Sequence, residues 1–577
     1  MKGSRFLLPA LFKTVVLPPL LTYLILHLAT TSSPNALVRI GLYVFSFPIS
    51  YVLRSQLSSF SSTRQAKKLG AIDIPRVKGR WPLNLDILRD WARSGSEDEV
   101  GRMMLLLERQ YGKTYNTRVL GEDQIISTDP PVLKHVLIDD FENFVKGQKF
   151  KDRAEAFLGD GIFNSDGERW RFHRALLRPF FHPNHVFAQL FTPHIEAFVS
   201  SLPTSGEAFD IQARLGSLSL QIAVMWMCGE DLSTVSSNAS PEWIAAKEGL
   251  GKAMTKGQRV VGRRVKIGTV WPLFELGHDP LAEPMRVIRA FFQPIIDRAM
   301  ERKRQRQASR ESDETKFIDM LVNVTDDRKL VEDQLINVLL AARDTLTSCL
   351  TFCVYSLALH PKIAKKLQDE IIKVARQDGA ITKEVIRDCK YSRAFINEVL
   401  RLFPPVPLNI RRTLRPSLLP TSKGGAPMYM PGNTSIIIAT VLLQRDKSVW
   451  GEDADVFDPE RWMGAGLGQS EREGFISWNI GPRMCLGQPF ALTATHAFLV
   501  LLARHLRMLE SEGAGGAESL VLAHDAQPMD TVMPEAWKTP GGNDGRAREG
   551  RDTMWVVADV VLAIKGGLWV RIGPSRE

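Results

Sequence analysis

Apolar and polar positions divide the chain into three stretches. The first is an uncharged leader: no formal charge falls between Thr14 and Val38, and residues 15–29 are strongly apolar. A bilayer-spanning helix needs about 20 such residues, and Pro18-Pro19 kinks such a helix without excluding it from a membrane. After Arg39 a second apolar run, residues 40–53, carries Tyr43, Phe45, Phe47 and Tyr51. It is short, and reads as a second span or an interfacial segment. Next, residues 72–85 (IDIPRVKGRWPLNL) are punctuated by proline and glycine and read as a hinge. From about Val100 apolar residues recur every three or four positions, which predicts a helix-rich body. Residues 330–360 form the longest and most apolar of these runs. Strand-like runs are short, at 434–441 and 555–564; residues 541–551 read as a flexible loop and 302–316 as a charged loop or helix end. The expected division is an N-terminal membrane anchor over 1–53, a basic, proline-containing hinge over 54–85, and one mainly α body with small β-sheets over 86–577.

Charge sharpens the reading of the leader. The net charge is +10, and the first 80 residues hold eleven Lys/Arg against Asp73 alone, so the remainder is balanced. A neutral body behind a basic, apolar leader points to a membrane and excludes nucleic acid as the partner. Lys2, Arg5 and Lys13 precede the apolar runs; Arg54, Arg64, Lys67 and Lys68 follow them. The positive-inside rule then places the body in the cytosol. The sequons at Asn238, Asn323 and Asn433 are expected to be empty there. Apolar residues at 44% and charged residues at 24% exclude a disordered, collagen-like or coiled-coil chain. Five Cys without a C-x-x-C pair exclude a disulfide framework and a zinc ribbon. Cys349 and Cys353, four apart in an apolar helical run, read as core. There is no P-loop, no G-x-S-x-G elbow and no G-x-G-x-x-G.

One cysteine stands apart. In residues 475–491 (FISWNIGPRMCLGQPFA) Cys485 follows a turn made by Gly481 and Pro482 and precedes a helix predicted over 488–506. The free N–H groups and dipole of a helix start favour a thiolate. Gly481 and Gly487 let the backbone approach a flat partner, and Arg483 suits a carboxylate on it. The stretch therefore presents a thiolate to a planar, carboxylate-bearing metal cofactor. In residues 341–345 (AARDT), Asp344 and Thr345 sit mid-helix, where polar groups are costly without a purpose. Thr345 can bond back to Ala341 and loosen the helix. The small Ala341 and Ala342 leave room for a ligand, and an acid beside an alcohol can pass protons.

These motifs resemble those of the cytochrome P-450 family. Its Phe-x-x-Gly-x-Arg-x-Cys-x-Gly pattern maps onto Trp478, Gly481, Arg483, Cys485 and Gly487, with Trp478 in place of Phe. Glu398 and Arg401, followed by Leu-Phe-Pro-Pro, are similar to the family's Glu-x-x-Arg helix, and residues 457–462 (FDPERW) to its Phe-x-Pro-Glu-Arg-Phe segment. The resemblance implies a buried charged network of Glu398, Arg401 and Arg461. Trp170 and Arg174 resemble the Trp-x-x-x-Arg helix; with Arg411 and Arg483 they are implied to hold haem propionates, while His173 reads as an ordinary histidine. Residues 341–345 resemble the oxygen-activating motif, with Ala342 in place of Gly and Leu346 in place of a second Thr.

The resemblance implies the P-450 fold and haem b with Cys485 as axial thiolate. It also implies an oxidoreductase that inserts one oxygen atom of O₂ into an apolar substrate. Electrons are implied to come from NADPH through a separate cytochrome P-450 reductase, with cytochrome b5 as a second donor, at the endoplasmic reticulum membrane with the catalytic domain facing the cytosol. Residues 68–85, 158–181 and 479–491 look like fungal alkane- and fatty-acid-hydroxylating members. Long-chain fatty acids or n-alkanes oxidised at or near the terminal carbon are the implied substrates. Terpenoids or aromatic compounds are the alternative within the family. A peroxide-using or isomerising haem protein, and a non-catalytic haem binder or lipid carrier, are the readings outside monooxygenation.

Overall fold

A computed structural model describes residues 12–29, 35–93, 100–182, 188–233, 240–309, 316–376, 379–421, 424–511, 518–531 and 554–574. The loop expected at 541–551 and the sequon at Asn238 lie outside these residues.

Two helices open the chain, α1 (Leu17–Ala29) and α2 (Ala36–Lys68). The second is the longer, about 50 Å at 1.5 Å per residue. Asn35 caps it by accepting from the Val38 N–H at 2.9 Å. It passes Leu53–Arg54 without a break, because residues 54–68 contain no glycine or proline. The second apolar run lies in a helix long and apolar enough to cross a membrane, and the first in a shorter apolar helix. Three described helices are long and apolar enough to cross a membrane: α2, α6 (Arg328–Leu359) and α8 (Gln488–Ser511). Burial separates them. The most apolar window of α2 is 6% buried, against 67% and 61% for the other two, which are core helices of the body.

The stretch expected as a hinge is docked along the body. Strand β1 (Ile72–Asp73) pairs in parallel with β7 (Met428–Met430), which pairs with β6 (Ser417–Leu419). Val77 N–H then bonds Asn116 O at 2.9 Å. The main sheet contains β2 (Thr114–Asn116), β3 (Gln124–Ser127), β4 (Phe144–Val145), β5 (Asn409–Thr413) and β8 (Ser435–Ile438). Their order is β2-β3-β8-β5-β4, with only β3 and β8 parallel. Strand β8 is fully apolar at Ile436–Ile438 and buried, as a central strand should be. Residues 434–441 were expected as one strand, but the extended part stops at Ile438 and a short helix, Thr440–Leu443, follows.

The helices stack around α6, whose 32 residues contain no glycine or proline and whose N-terminus is capped by Asp327. Against it lie α7 (Lys390–Leu402) and α8. Helix α3 (Gln148–Leu158) packs against α5 (Pro241–Ile267) and α6, and α4 spans Gly167–Leu177. The architecture is mainly α with small sheets.

His496 on α8 bonds Ser392 on α7 (Nδ1 to Oγ, 3.0 Å) and is 2% exposed. Burial, helped by the nearby Arg393 charge, pushes its pKa down to about 3. The unfolded chain takes up this proton near pH 6.5, long before the folded one. Stability from this group is therefore full above about pH 6.5 and is lost as pH falls towards 3, with a limiting slope of ~1.4 kcal/mol per pH unit. His496→Gln keeps a bonding side chain and removes the titration. Urea unfolding between pH 7 and 4.5 should show a flatter loss of stability in the variant than in the wild type.

Candidate functional site

Residues 476–487 form a loop built around one sulfur. Asn479 and Gly481 adopt left-handed backbone (φ 60° and 72°). A Cβ at Gly481 would overlap the Leu137 carbonyl oxygen, so the turn demands glycine. Cys485 N–H closes the loop on Trp478 O at 2.8 Å, and Asn479 Nδ2 donates to Arg483 O at 3.1 Å. Cys485 stands three residues before α8, and it alone of the five cysteines is exposed. What it is exposed to is the wall of an interior cavity of about 610 Å³. Burial raises its pKa; the Gly487 and Gln488 N–H groups and the Arg174 guanidinium pull the other way. Within 4 Å a Cβ at Gly487 would meet only the Cys485 sulfur and Phe181, both at ordinary distances, so the protein itself leaves room at this glycine.

On one side the cavity wall is cationic. Arg483 bonds Ser165 O and Asp166 Oδ1, both at 2.9 Å, and its guanidinium lies 4.6 Å over the Trp170 ring. Arg411, 1% exposed, reaches Asn409 Oδ1 and Ile410 O, but its Nε finds no partner. Lys146 donates to the same Asn409 oxygen at 3.2 Å. Burial, with repulsion from neighbouring arginines, lowers all three pKa values, Arg411 to about 9 (beside Arg483), Arg483 to about 10 (beside Arg174) and Lys146 well below its usual value (beside Arg411 and Arg483). Asp166 is the carboxylate that opposes them, held ionised below its usual range despite its burial by the Lys146 and Gly147 N–H groups and by Arg483 and Lys151. Three cations facing one acid beside a cysteine sulfur fit a flat, metal-centred group that brings its own carboxylates. Arg174 donates to Met484 O at 2.9 Å, on the sulfur's side of the wall.

Helix α6 crosses the cavity with Ala341, Ala342 and Thr345 on the wall. Thr345 Oγ1 donates back to Ala341 O. Asp344 is absent from the wall. Its Oδ1 accepts from Arg343 at 2.8 Å, Arg343 bonds Thr255 on α5, and Oδ2 is buried without a partner. Burial raises the Asp344 pKa against the pull of Arg343. Of the residues the sequence singles out, Cys485, Arg483, Trp170, Arg174, Arg411, Trp478, Gly487 and Thr345 meet on one cavity, and Gly481 shapes the turn below it.

Glu398, Arg401 and Arg461 lie behind the loop. Glu398 and Arg401 are fully buried and doubly bonded (2.7 and 2.8 Å). Glu398 also accepts from Arg461 Nε, Trp462 Nε1 and Asp458 N–H. Arg401 donates to the carbonyls of Gln444, Ala454 and Val456. Gln444 carries the network onward: its Nε2 bonds Leu400 O and Arg401 O, and its Oε1 accepts from Ile476 N–H and Ser477 Oγ at the start of the cysteine loop. Sequence reasoning missed Gln444 and Lys146, and no local signal marks either.

Two substitutions test this construction. Glu398→Ala strands a buried guanidinium and should cost about 3–5 kcal/mol in urea unfolding. Gly481→Ala combines strained backbone with a clash, about 1–3 kcal/mol for the strain alone. It should lower the melting temperature and the fraction of chains that keep the cofactor, read from absorbance.

The comparisons with known proteins agree with this geometry. The family model described as Cytochrome P450 matches residues 75–517. Cytochrome P450 52E1 of Candida apicola is 28% identical over 464 residues, 78% of this chain and 88% of that protein. Cytochrome P450 52A3-B of Candida maltosa is 30% identical over 408 residues, 67% and 76% of the two chains. The cytochrome P450 monooxygenase himC of Aspergillus japonicus is 31% identical over 410 residues, 70% and 72%. The chain belongs to the cytochrome P450 family of haem-thiolate monooxygenases.

Proposed function

We propose that this protein is a membrane-anchored monooxygenase that hydroxylates long-chain fatty acids or n-alkanes at or near the terminal carbon. Its anchor lies in the endoplasmic reticulum membrane, its body faces the cytosol, and electrons reach it from NADPH through a separate reductase. The observation that carries the reading is the meeting of Cys485, Thr345 and an apolar wall on one cavity. Haem bound there supplies activation of O₂ and transfer of one oxygen atom to a carbon–hydrogen bond. Cys485 would serve as the thiolate ligand, with the Gly487 and Gln488 N–H groups and Arg174 favouring its anion. Arg411, Arg483, Lys146 and Trp170 would hold the propionates, and Arg174 would support the sulfur's side.

Thr345 keeps its hydroxyl hydrogen on Ala341 O, so its oxygen lone pairs accept from whatever donor enters the cavity. Asp344 lies off the cavity wall beside Arg343, and its burial raises its pKa against the pull of that guanidinium. Phe157, Val261, Leu340 and Val406 on the wall exclude water and suit an alkyl chain. The basic end of α2 supports the cytosolic placement.

The test is reconstitution of the full chain in membranes with a cytochrome P-450 reductase and NADPH, offering fatty acids and n-alkanes together. Terminal or near-terminal alcohols should appear by mass spectrometry, and the reduced carbon monoxide spectrum should report thiolate ligation. Intact thiolate ligation without chain products would overturn the substrate and keep the monooxygenase. In the same assay Thr345→Ala should lower product formed per NADPH several-fold and release peroxide.

A further inference from the structure

We propose that Arg153, helped by Lys149 and Arg412, anchors the carboxylate of an aliphatic acid, so that the cavity selects acids over neutral chains of the same length. The proposal rests on the monooxygenase reading and narrows its substrate class.

Helix α3 turns Phe150, Arg153, Ala154, Phe157 and Leu158 inward, the spacing of an apolar stripe. Arg153 therefore occupies a position the helix pattern reserves for an apolar side chain. It is 9% exposed and lines the cavity. Among the described residues five arginines are buried, and four have acceptors. Arg264 pairs with Glu275, Arg401 with Glu398, Arg411 with Asn409, and Arg504 with two backbone carbonyls. The Arg153 guanidinium has none among the described residues. Its five N–H donors match the two oxygens of a carboxylate.

The surrounding acids are already engaged. Glu122 is held by Lys149 Nζ at 2.6 Å, Asp123 by Arg118 and Asn116, and Asp152 by Gln148. Arg412 reaches only the neutral oxygens of Asn433 and Ser435. The wall thus presents Lys149, Arg153 and Arg412 against Glu122, and burial lowers the pKa of all three bases. An added anion relieves that repulsion. Phe157, Val261, Leu340 and Thr345 line the same cavity as Arg153. A chain held by its carboxylate at Arg153 lays its methylenes along that surface, leaving the far end for oxidation.

The experiment uses the haem-loaded full chain in nanodiscs and measures, by calorimetry, binding of palmitic acid, methyl palmitate and 1-hexadecanol. The wild type should bind the acid about ten-fold or more tightly than the ester or alcohol. Arg153→Leu should collapse that preference, and Arg153→Lys should keep most of it. Because the leucine completes an apolar stripe and removes an unpaired charge, Arg153→Leu should melt no lower than the wild type. A wild type without preference for the acid overturns the proposal. So does an equal loss of all three ligands in Arg153→Leu, or a lower melting temperature, either of which marks a structural role. The reduced carbon monoxide spectrum of each protein separates the two levels: normal thiolate ligation with no acid preference sinks the anchor alone, whereas absent ligation in the wild type sinks the monooxygenase reading.

Discussion

The Glu398–Arg401 ion pair is the constraint on which the rest of the site depends. Both groups are fully buried, and an uncompensated charge there costs several kcal/mol. The fold answers by satisfying both partners. Glu398 collects Arg401, Arg461, Trp462 and a backbone N–H, while Arg401 collects three carbonyls from residues 444–456. A long irregular stretch is thereby fixed to α7. Gln444 then passes the order on, bonding α7 carbonyls with one end and the start of the cysteine loop with the other. The sulfur is held in place by a charge pair it never touches.

The same accounting, applied to the cavity, gives the opposite result. Around Glu398 every charge is met. Around Lys146, Arg411 and Arg483 the cations outnumber the acid, and an Arg411 nitrogen is left over. Around Arg153 a whole guanidinium lacks a hydrogen-bond acceptor among the described residues, with only the opposite charges of Glu122 and Asp152 acting on it. A satisfied buried network serves folding; an unsatisfied one lowers stability unless a ligand completes it. This contrast is what supports the two proposals, that the first cationic wall serves the cofactor and the second the substrate.

How much of this was legible in the sequence follows from the range of each interaction. The cysteine loop could be read because its requirements are local: a left-handed Gly481, a helix start after Cys485, an arginine two residues before it. The Glu398–Arg401 pair was readable as an i,i+3 spacing, yet its partners Gln444 and Asp458 come from other elements, and no periodicity announces them. Lys146 looks like any lysine at a strand end until β5 brings Asn409 and Arg411 beside it. The anchor shows the converse. Counting apolar residues favoured the first run, but helix continuity is set by breakers, and residues 54–68 have none. Within the stretch read as a hinge, Ile72 and Asp73 pair with β7, a partner that the sequence around them does not announce.

Adjacent residues on a helix point about 100° apart, and of Asp344 and Thr345 only the threonine lines the cavity. The fold gives the wall to the alcohol and turns the acid towards α5, where Arg343 and Thr255 hold it. A proton passed between them must round the shoulder of the helix. That shoulder is where Thr345 bonds the Ala341 carbonyl, a bond of the kind that loosens the helical ladder. The family departures sit on either side of this point. Ala342 stays on the wall, one methyl larger than the family's glycine, while Leu346 is 1% exposed and packs into the core. A second hydroxyl at 346 would be buried among apolar neighbours, so here the core takes that position.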